Sequence, residues 1–171
     1  MTLIKSISGI RGTIGGFPGN NLTPIDVVRY ASAYGMWLKS RSKNKIKVVV
    51  GRDARISGLI VQNLVISTLQ SSGIDVIDLG LSTTPTVEIA VPMEKASGGI
   101  ILTASHNPKQ WNALKLLNEK GEFVSADDGH KILRIVEEEN FEYAHIDDLG
   151  LVEKKDYLQK HINAILALPS V

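Results

Sequence analysis

Gly98-Gly-Ile-Ile-Leu-Thr-Ala-Ser-His-Asn-Pro108 carries the reading of this chain. Ile100 to Leu102 is an unbroken apolar run, which predicts a buried β-strand. The run hands Thr103, Ala104, Ser105, His106 and Asn107 to a loop, and Pro108 keeps the strand from continuing. A Ser-His pair on a loop at the end of a strand suits nucleophilic chemistry. Taken alone, a serine in a polar loop is more often a solvated turn residue, so the flanking sequence decides between the two.

Outward from this stretch, strands and helical segments alternate. Leu3 to Ile7 reads as a first strand, and Gly9, Gly12, Gly15, Gly16 and Gly19 as a turn-rich segment. Thr23-Pro24 opens a helix, with Thr23 as cap, Pro24 in the first turn and Asp26 at the positive helix end. Lys45 to Val50 is a strand ending at Gly51. Ser57 is a candidate cap for a second helix, whose apolar positions Val61, Leu64, Val65 and Leu69 keep helical spacing, and Gly73 closes it. Ile74 to Leu79 is the next strand, and a helix starts near Pro85. Leu114 to Leu117 is a strand, Asn118 to Gly121 a turn, and Asp127 to Glu139 a helix. Asp147 to Gly150 reads as a loop and Tyr157 to Leu168 as a last helix. This alternation predicts a three-layer α/β/α sandwich on a mixed, mostly parallel sheet. The short step between the strands at 100 and 114 predicts one antiparallel edge.

Composition narrows the function classes. The hydrophobic fraction of 43% and charged fraction of 22% fit a globular protein. Nineteen basic and eighteen acidic residues leave a net charge of +1, which gives no case for nucleic-acid or anionic-membrane binding. With no cysteine there is no disulfide or thiolate chemistry, which fits a cytoplasmic protein. No apolar run approaches the ~20 residues that span a bilayer, and Met1 to Lys5 has no apolar core suited to a signal peptide.

The loop Thr103 to Pro108 resembles the phosphoserine loop of the α-D-phosphohexomutases, the phosphoglucomutase/phosphomannomutase superfamily. Three further stretches resemble that family's motifs in the family's order. These are Ser8-Gly-Ile-Arg-Gly12, Gly51-Arg-Asp-Ala-Arg-Ile-Ser-Gly58 and Asn112-Ala-Leu-Lys115. Four ordered matches are far more specific than any one. The resemblance implies the family's first domain, an α/β/α sandwich over residues 1–150. Residues 151–171 are then expected to form a linker helix towards a second domain, as part of a longer polypeptide with domains II–IV.

The resemblance also implies roles. Ser105 is expected to store a phosphoryl group and pass it between the 1- and 6-positions of a hexose phosphate through a bisphosphorylated sugar. Lys115 is expected to be the general acid/base, a role that calls for nearby cations or burial to favour the neutral amine. Ala113 departs from the family's usual glycine and removes freedom at positive φ, so the placement of Lys115 depends on whether that conformation is needed there. Arg11, between two glycines, is expected to be a catalytic, phosphate-contacting arginine. His106 is expected to support phosphoryl or sugar oxygens. Arg52 and Arg55 straddle Asp53 just before a helix N-terminus. They are candidates for phosphate binding; alternatively Asp53 pairs with an arginine and fixes the loop. The family's Mg²⁺ is held by the phosphoserine and an Asp-x-Asp-x-Asp motif that this chain lacks, so Ser105 would supply one ligand through its phosphoryl oxygen. A glucose 1,6-bisphosphate-type activator is implied as well.

A stand-alone, non-catalytic phosphosugar-binding or regulatory domain is the competing reading. A dinucleotide-binding domain is disfavoured because the glycines run Gly9-x-x-Gly12-x-x-Gly15 and no phosphate-binding lysine follows. Glucose, mannose and glucosamine phosphates all remain open as substrates.

Overall fold

The computed structural model describes residues 1–169. Two short strands, β1 (Ile4–Ser6) and β2 (Gly9–Thr13), come first. Thr23 then caps helix α1 (Pro24–Arg41), and its backbone N–H donates in return to the Asp26 carboxylate at 3.1 Å. Next come β3 (Lys47–Arg52), α2 (Gly58–Ser71), β4 (Asp75–Leu81) and α3 (Thr84–Met93). Gly73, at φ +73°, ends α2 in a left-handed turn in which Ile74 N–H reaches back to the Leu69 carbonyl. The opening apolar run is β5 (Gly98–Leu102), buried at all five positions. After β6 (Trp111–Leu117), α4 (Ala126–Glu138) and a 3₁₀ turn at Ile146–Asp148, the described chain ends in β7 (Val152–Lys154) and α5 (Leu158–Leu166).

The seven strands form one mixed sheet in the order β1-β2-β6-β5-β3-β4-β7. β5, β3, β4 and β7 are mutually parallel, whereas β5–β6, β6–β2 and β2–β1 pair antiparallel. Five strands therefore point one way, and β1 and β6 point the other. Helices α1, α2 and α4 cover one face, over a core that includes Ile10, Tyr34, Trp37, Val48, Val65, Ile100 and Leu114. On the opposite face α3 packs chiefly on β3 and β5, over Val49, Ile77, Val87, Val91, Ile101 and Leu117. This is the expected three-layer α/β/α arrangement. No helix among the described residues is long and apolar enough to cross a membrane.

Two stretches differ from their sequence reading. The first half of the glycine-rich segment is a strand, β2, with Ile10 buried in the core. Gly9 sits at φ +142°, and a Cβ there would lie 1.9 Å from the Leu114 carbonyl oxygen. Close approach of two backbones requires glycine, and glycine hides a strand from propensity. The loop proper is confined to residues between Thr13 and Thr23. The second stretch follows residue 150. It does not begin as a helix: β7 adds to the sheet beside β4 before α5 starts.

Tyr157 ties the end of this segment down. It is buried among Val49, Ile77 and Val91, and its hydroxyl donates to the Glu94 carboxylate. Lys155 Nζ approaches the same carboxylate at 2.7 Å and Lys160 Nζ at 3.4 Å. Burial alone would raise the Glu94 pKa. The bonds from Lys155, Tyr157 and Lys160 outweigh it and hold the carboxyl near pKa 2, against its ordinary 4.5. A depressed carboxylate contributes stability that is fully present above about pH 4.5 and is lost as pH falls towards the folded value. Replacing Glu94→Gln is expected to lower the urea midpoint at pH 7. The gap from wild type should close between about pH 4.5 and 2, as urea titrations across that range will show.

Candidate active site

All four motifs lie at one edge of the molecule, at the carboxyl ends of the parallel strands, where open α/β sheets hold their ligands. β6 runs antiparallel, so it starts where β5 finishes. Arg11 pairs with Ala113, Gly9 with Lys115, and Ile101 with Lys115. Paired residues face the same side of a sheet. Arg11, Ala113 and Lys115 therefore share the α3 face, while Ile10, Leu114 and Leu116 point into the larger core. Thr103 N–H donates to the Ala113 carbonyl at 3.2 Å, so the phosphoserine-like loop leaves the sheet beside the same residue. Arg11, Ala113 and Thr103 form a row across three strands spaced about 4.8 Å apart. Only a methyl group stands at the middle of that row. Arg11 is exposed and Lys115 half-buried. They line a cleft of about 270 Å³ with Ser6, Ser8, Gly9 and Ala113. Lys115 Nζ lies 5.8 Å from the Phe123 ring centroid, within range of a cation–π contact.

Ser105 and His106 are exposed at the tip of the loop. Ser105 holds φ +53°, a left-handed conformation unusual for a residue with a side chain. Its N–H donates to Thr103 Oγ1 at 3.0 Å, and that hydroxyl donates to Asp53 Oδ2 at 2.6 Å. Asn107 closes the turn, with both its backbone N–H and its side-chain amide donating to the Ala104 carbonyl. Thr103 and Asn107 thus hold the loop's shape.

The two remaining arginines do not join the cleft of Arg11 and Lys115. Arg55, a candidate phosphate ligand by sequence, is turned inwards with a side chain only 11% exposed. Its Nε donates to Asp53 Oδ2 at 3.1 Å. Its Nη1 donates to the carbonyls of Pro108 and Trp111, both at 2.9 Å. Its Nη2 donates to those of Ser105 at 2.7 Å and Asn107 at 2.8 Å. A guanidinium has five N–H donors, and all five are engaged. The loop-fixing alternative therefore describes Arg55, with Asp53 as its partner. Arg52 donates to Gln62 Oε1 at 2.7 Å and to the Asp53 carbonyl at 3.1 Å. It lines a separate cleft of about 640 Å³ with Gln62, Asp78, Lys154 and Tyr157.

Two contributors had no role assigned from the sequence. Asn112 is fully buried; its Oδ1 accepts the Ala113 N–H and its Nδ2 donates to Ser57 Oγ at 3.0 Å. Ser57 consequently makes no side-chain capping bond to α2. Phe123 reaches Lys115 because the turn after Leu117 folds back through a bridge between Leu117 and Phe123. Among the described residues no group of three or more His, Cys, Asp and Glu side chains is placed to hold a metal. The donor set falls short of what Mg²⁺ requires.

The family model for phosphoglucomutase/phosphomannomutase, alpha/beta/alpha domain I, matches residues 3–143. The chain belongs to this family. A phosphoglucomutase/phosphomannomutase of Thermococcus kodakarensis is 35% identical over 156 residues, covering 90% of this chain and 34% of the relative. A Methanosphaera stadtmanae protein provisionally named phosphoglucosamine mutase is 37% identical over 170 residues, covering 96% of this chain and 36% of its own length. A crystal structure from Thermus thermophilus, carrying the provisional name phosphomannomutase, superposes with a TM-score of 0.81 at 30% identity. That match covers 98% of this chain and 36% of the other. The chain spans about a third of the length of the curated relatives it matches.

Ala113 would strain the backbone only if its position required positive φ. It lies in β6 outside the positive-φ residues. Glycine in a strand costs roughly 0.5–1 kcal/mol relative to alanine. Ala113→Gly is therefore expected to lower stability by about that amount in urea titration, whereas a gain would mean that alanine strains the backbone here.

Proposed function

We propose that this chain is the phosphoserine-bearing part of a hexose-phosphate mutase, which moves a phosphoryl group reversibly between the 1- and 6-positions of a hexose phosphate. The observation that carries the reading is the register of β2, β6 and β5. That register sets one guanidinium and one ammonium group on the α3 face of the sheet, with Ala113 between Arg11 and the start of the loop on which Ser105 is exposed.

Phosphoryl transfer depends on positioning and on positive charge near the equatorial oxygens. In this reading phospho-Ser105 presents its phosphorus to a sugar hydroxyl. Lys115 takes the hydroxyl proton as the sugar O–P bond forms and the Ser105 O–P bond breaks. Arg11 neutralises charge on the phosphoryl oxygens with its planar fork. The second half-reaction runs the same steps backwards from the other sugar oxygen, returning phosphate to Ser105. His106, exposed next to Ser105, contributes a further hydrogen bond to phosphoryl or sugar oxygens. Mg²⁺ would take one ligand from this chain, a phosphoryl oxygen on Ser105, and would supply charge neutralisation; its other ligands would come from elsewhere in a longer polypeptide.

Glucose, mannose and glucosamine phosphates are the candidate substrates. Several relatives provisionally named phosphoglucosamine mutases put glucosamine phosphate first in order of trial. A stand-alone phosphosugar-binding domain remains the competing reading.

Incubation with glucose 1,6-bisphosphate, in the complete polypeptide that carries this chain, is expected to add one phosphoryl group. Intact-mass and peptide mass spectrometry should place it on Ser105 and find none in a Ser105→Ala variant. Bisphosphate binding with no mass gain would favour the non-catalytic reading.

A further inference from the structure

The second basic motif, Gly51 to Gly58, is not used by the chemistry proposed above, yet it holds the most fully engaged charged side chain described for the molecule. Arg55 and Asp53 together control both peptide groups of Ser105. The Ser105 carbonyl accepts from Arg55 Nη2 at 2.7 Å. The Ser105 N–H donates to Thr103 Oγ1, which donates to Asp53 Oδ2, which in turn accepts from Arg55 Nε. The four residues close a ring of hydrogen bonds around one amino acid, and that residue sits at φ +53°. A non-glycine residue persists in the left-handed region only where its surroundings over-determine it. Asp53 is itself anchored, because its N–H donates to the Leu102 carbonyl at the end of β5 at 3.1 Å. The ring is thus tied to the sheet at the point where the loop departs.

We propose that Arg55, with Asp53 and Thr103, is a positioning residue for Ser105. The pair holds the serine in the left-handed conformation that aims its hydroxyl outward, and does not itself bind the sugar's phosphate. The functional half of this proposal rests on the mutase reading; the conformational half does not. All five guanidinium N–H groups are taken and the side chain is nearly buried, so a substrate phosphate meets no free donor on Arg55. Lysine cannot replace a planar fork that serves four carbonyls and a carboxylate at once. Its charge would survive while the ring opened.

Two measurements on the complete polypeptide test this. The first is the backbone φ of Ser105 by NMR couplings and shifts. The second is steady-state hexose-phosphate interconversion. Arg55→Lys is expected to release Ser105 from positive φ and to lower kcat by on the order of 100-fold, with KM within about threefold of wild type. Thr103→Val should reproduce both effects without touching the arginine, and Thr103→Ser should restore both, because it keeps the hydroxyl. A rise in KM with kcat intact would make Arg55 a substrate ligand and overturn the proposal. So would a Ser105 that stays at positive φ in both Arg55→Lys and Thr103→Val. If wild type itself shows no interconversion, the mutase reading fails by that result alone, and the φ measurement still decides whether the ring sets the serine's conformation.

Discussion

The antiparallel insertion of β6 between β2 and β5 is the constraint on which the site depends. Side chains alternate across a sheet, so a slip of one residue would turn every side chain of β6 to the opposite face. Lys115 would then enter the apolar core under α1 and α4, and Leu114 and Leu116 would leave it. Burial of Ile10, Leu114 and Leu116 excludes that slip. The energy that folds the larger core therefore also fixes which face carries the charged residues. Gly9 makes the insertion possible by letting β2 close on the Leu114 backbone.

An exposed loop would ordinarily leave its carbonyls to water and sample many conformations. Here four carbonyls between Ser105 and Trp111 converge on a single guanidinium, and charge-assisted bonds of this kind are the stronger sort. Asp53 balances the buried charge and passes the constraint through Thr103 to the serine's own N–H. Asn112 does the corresponding work one strand away, joining the start of β6 to the α2 cap residue. The loop is polar and solvent-facing, yet the guanidinium that gathers its carbonyls is largely buried.

Much of this is legible in the sequence. Thr23, Asp26 and Gly73 mark helix ends because caps are local, and the Ile100–Leu102 run marks a strand because burial on both faces leaves no alternation. What escaped did so for physical reasons. β2 is written in glycines needed for close approach. β7 is a three-residue edge strand whose Val152, Glu153 and Lys154 are all exposed, so no apolar pattern announces it. Candidate site residues separated similarly. Arg11 and Lys115 line one cleft through the register of β2 and β6, which the order of the motifs along the chain does not reveal. The destination of Arg55 was open because its partners are mostly backbone carbonyls, which carry no signature in a sequence. Ser57 looked like a cap and instead serves Asn112, a contact 55 positions away in the chain.

The central claim is that Arg11 stands over the phosphoryl group carried by Ser105. It is tested most directly by titrating phosphoserine at position 105 with ³¹P NMR, in the native sequence and in Arg11→Gln. A phosphoserine loses its second proton with a pKa of about 6, and a neighbouring guanidinium favours the dianion and lowers that value. Removing the Arg11 charge is predicted to raise the second pKa of phospho-Ser105. An unchanged titration would place Arg11 away from the phosphoryl group and contradict the claim.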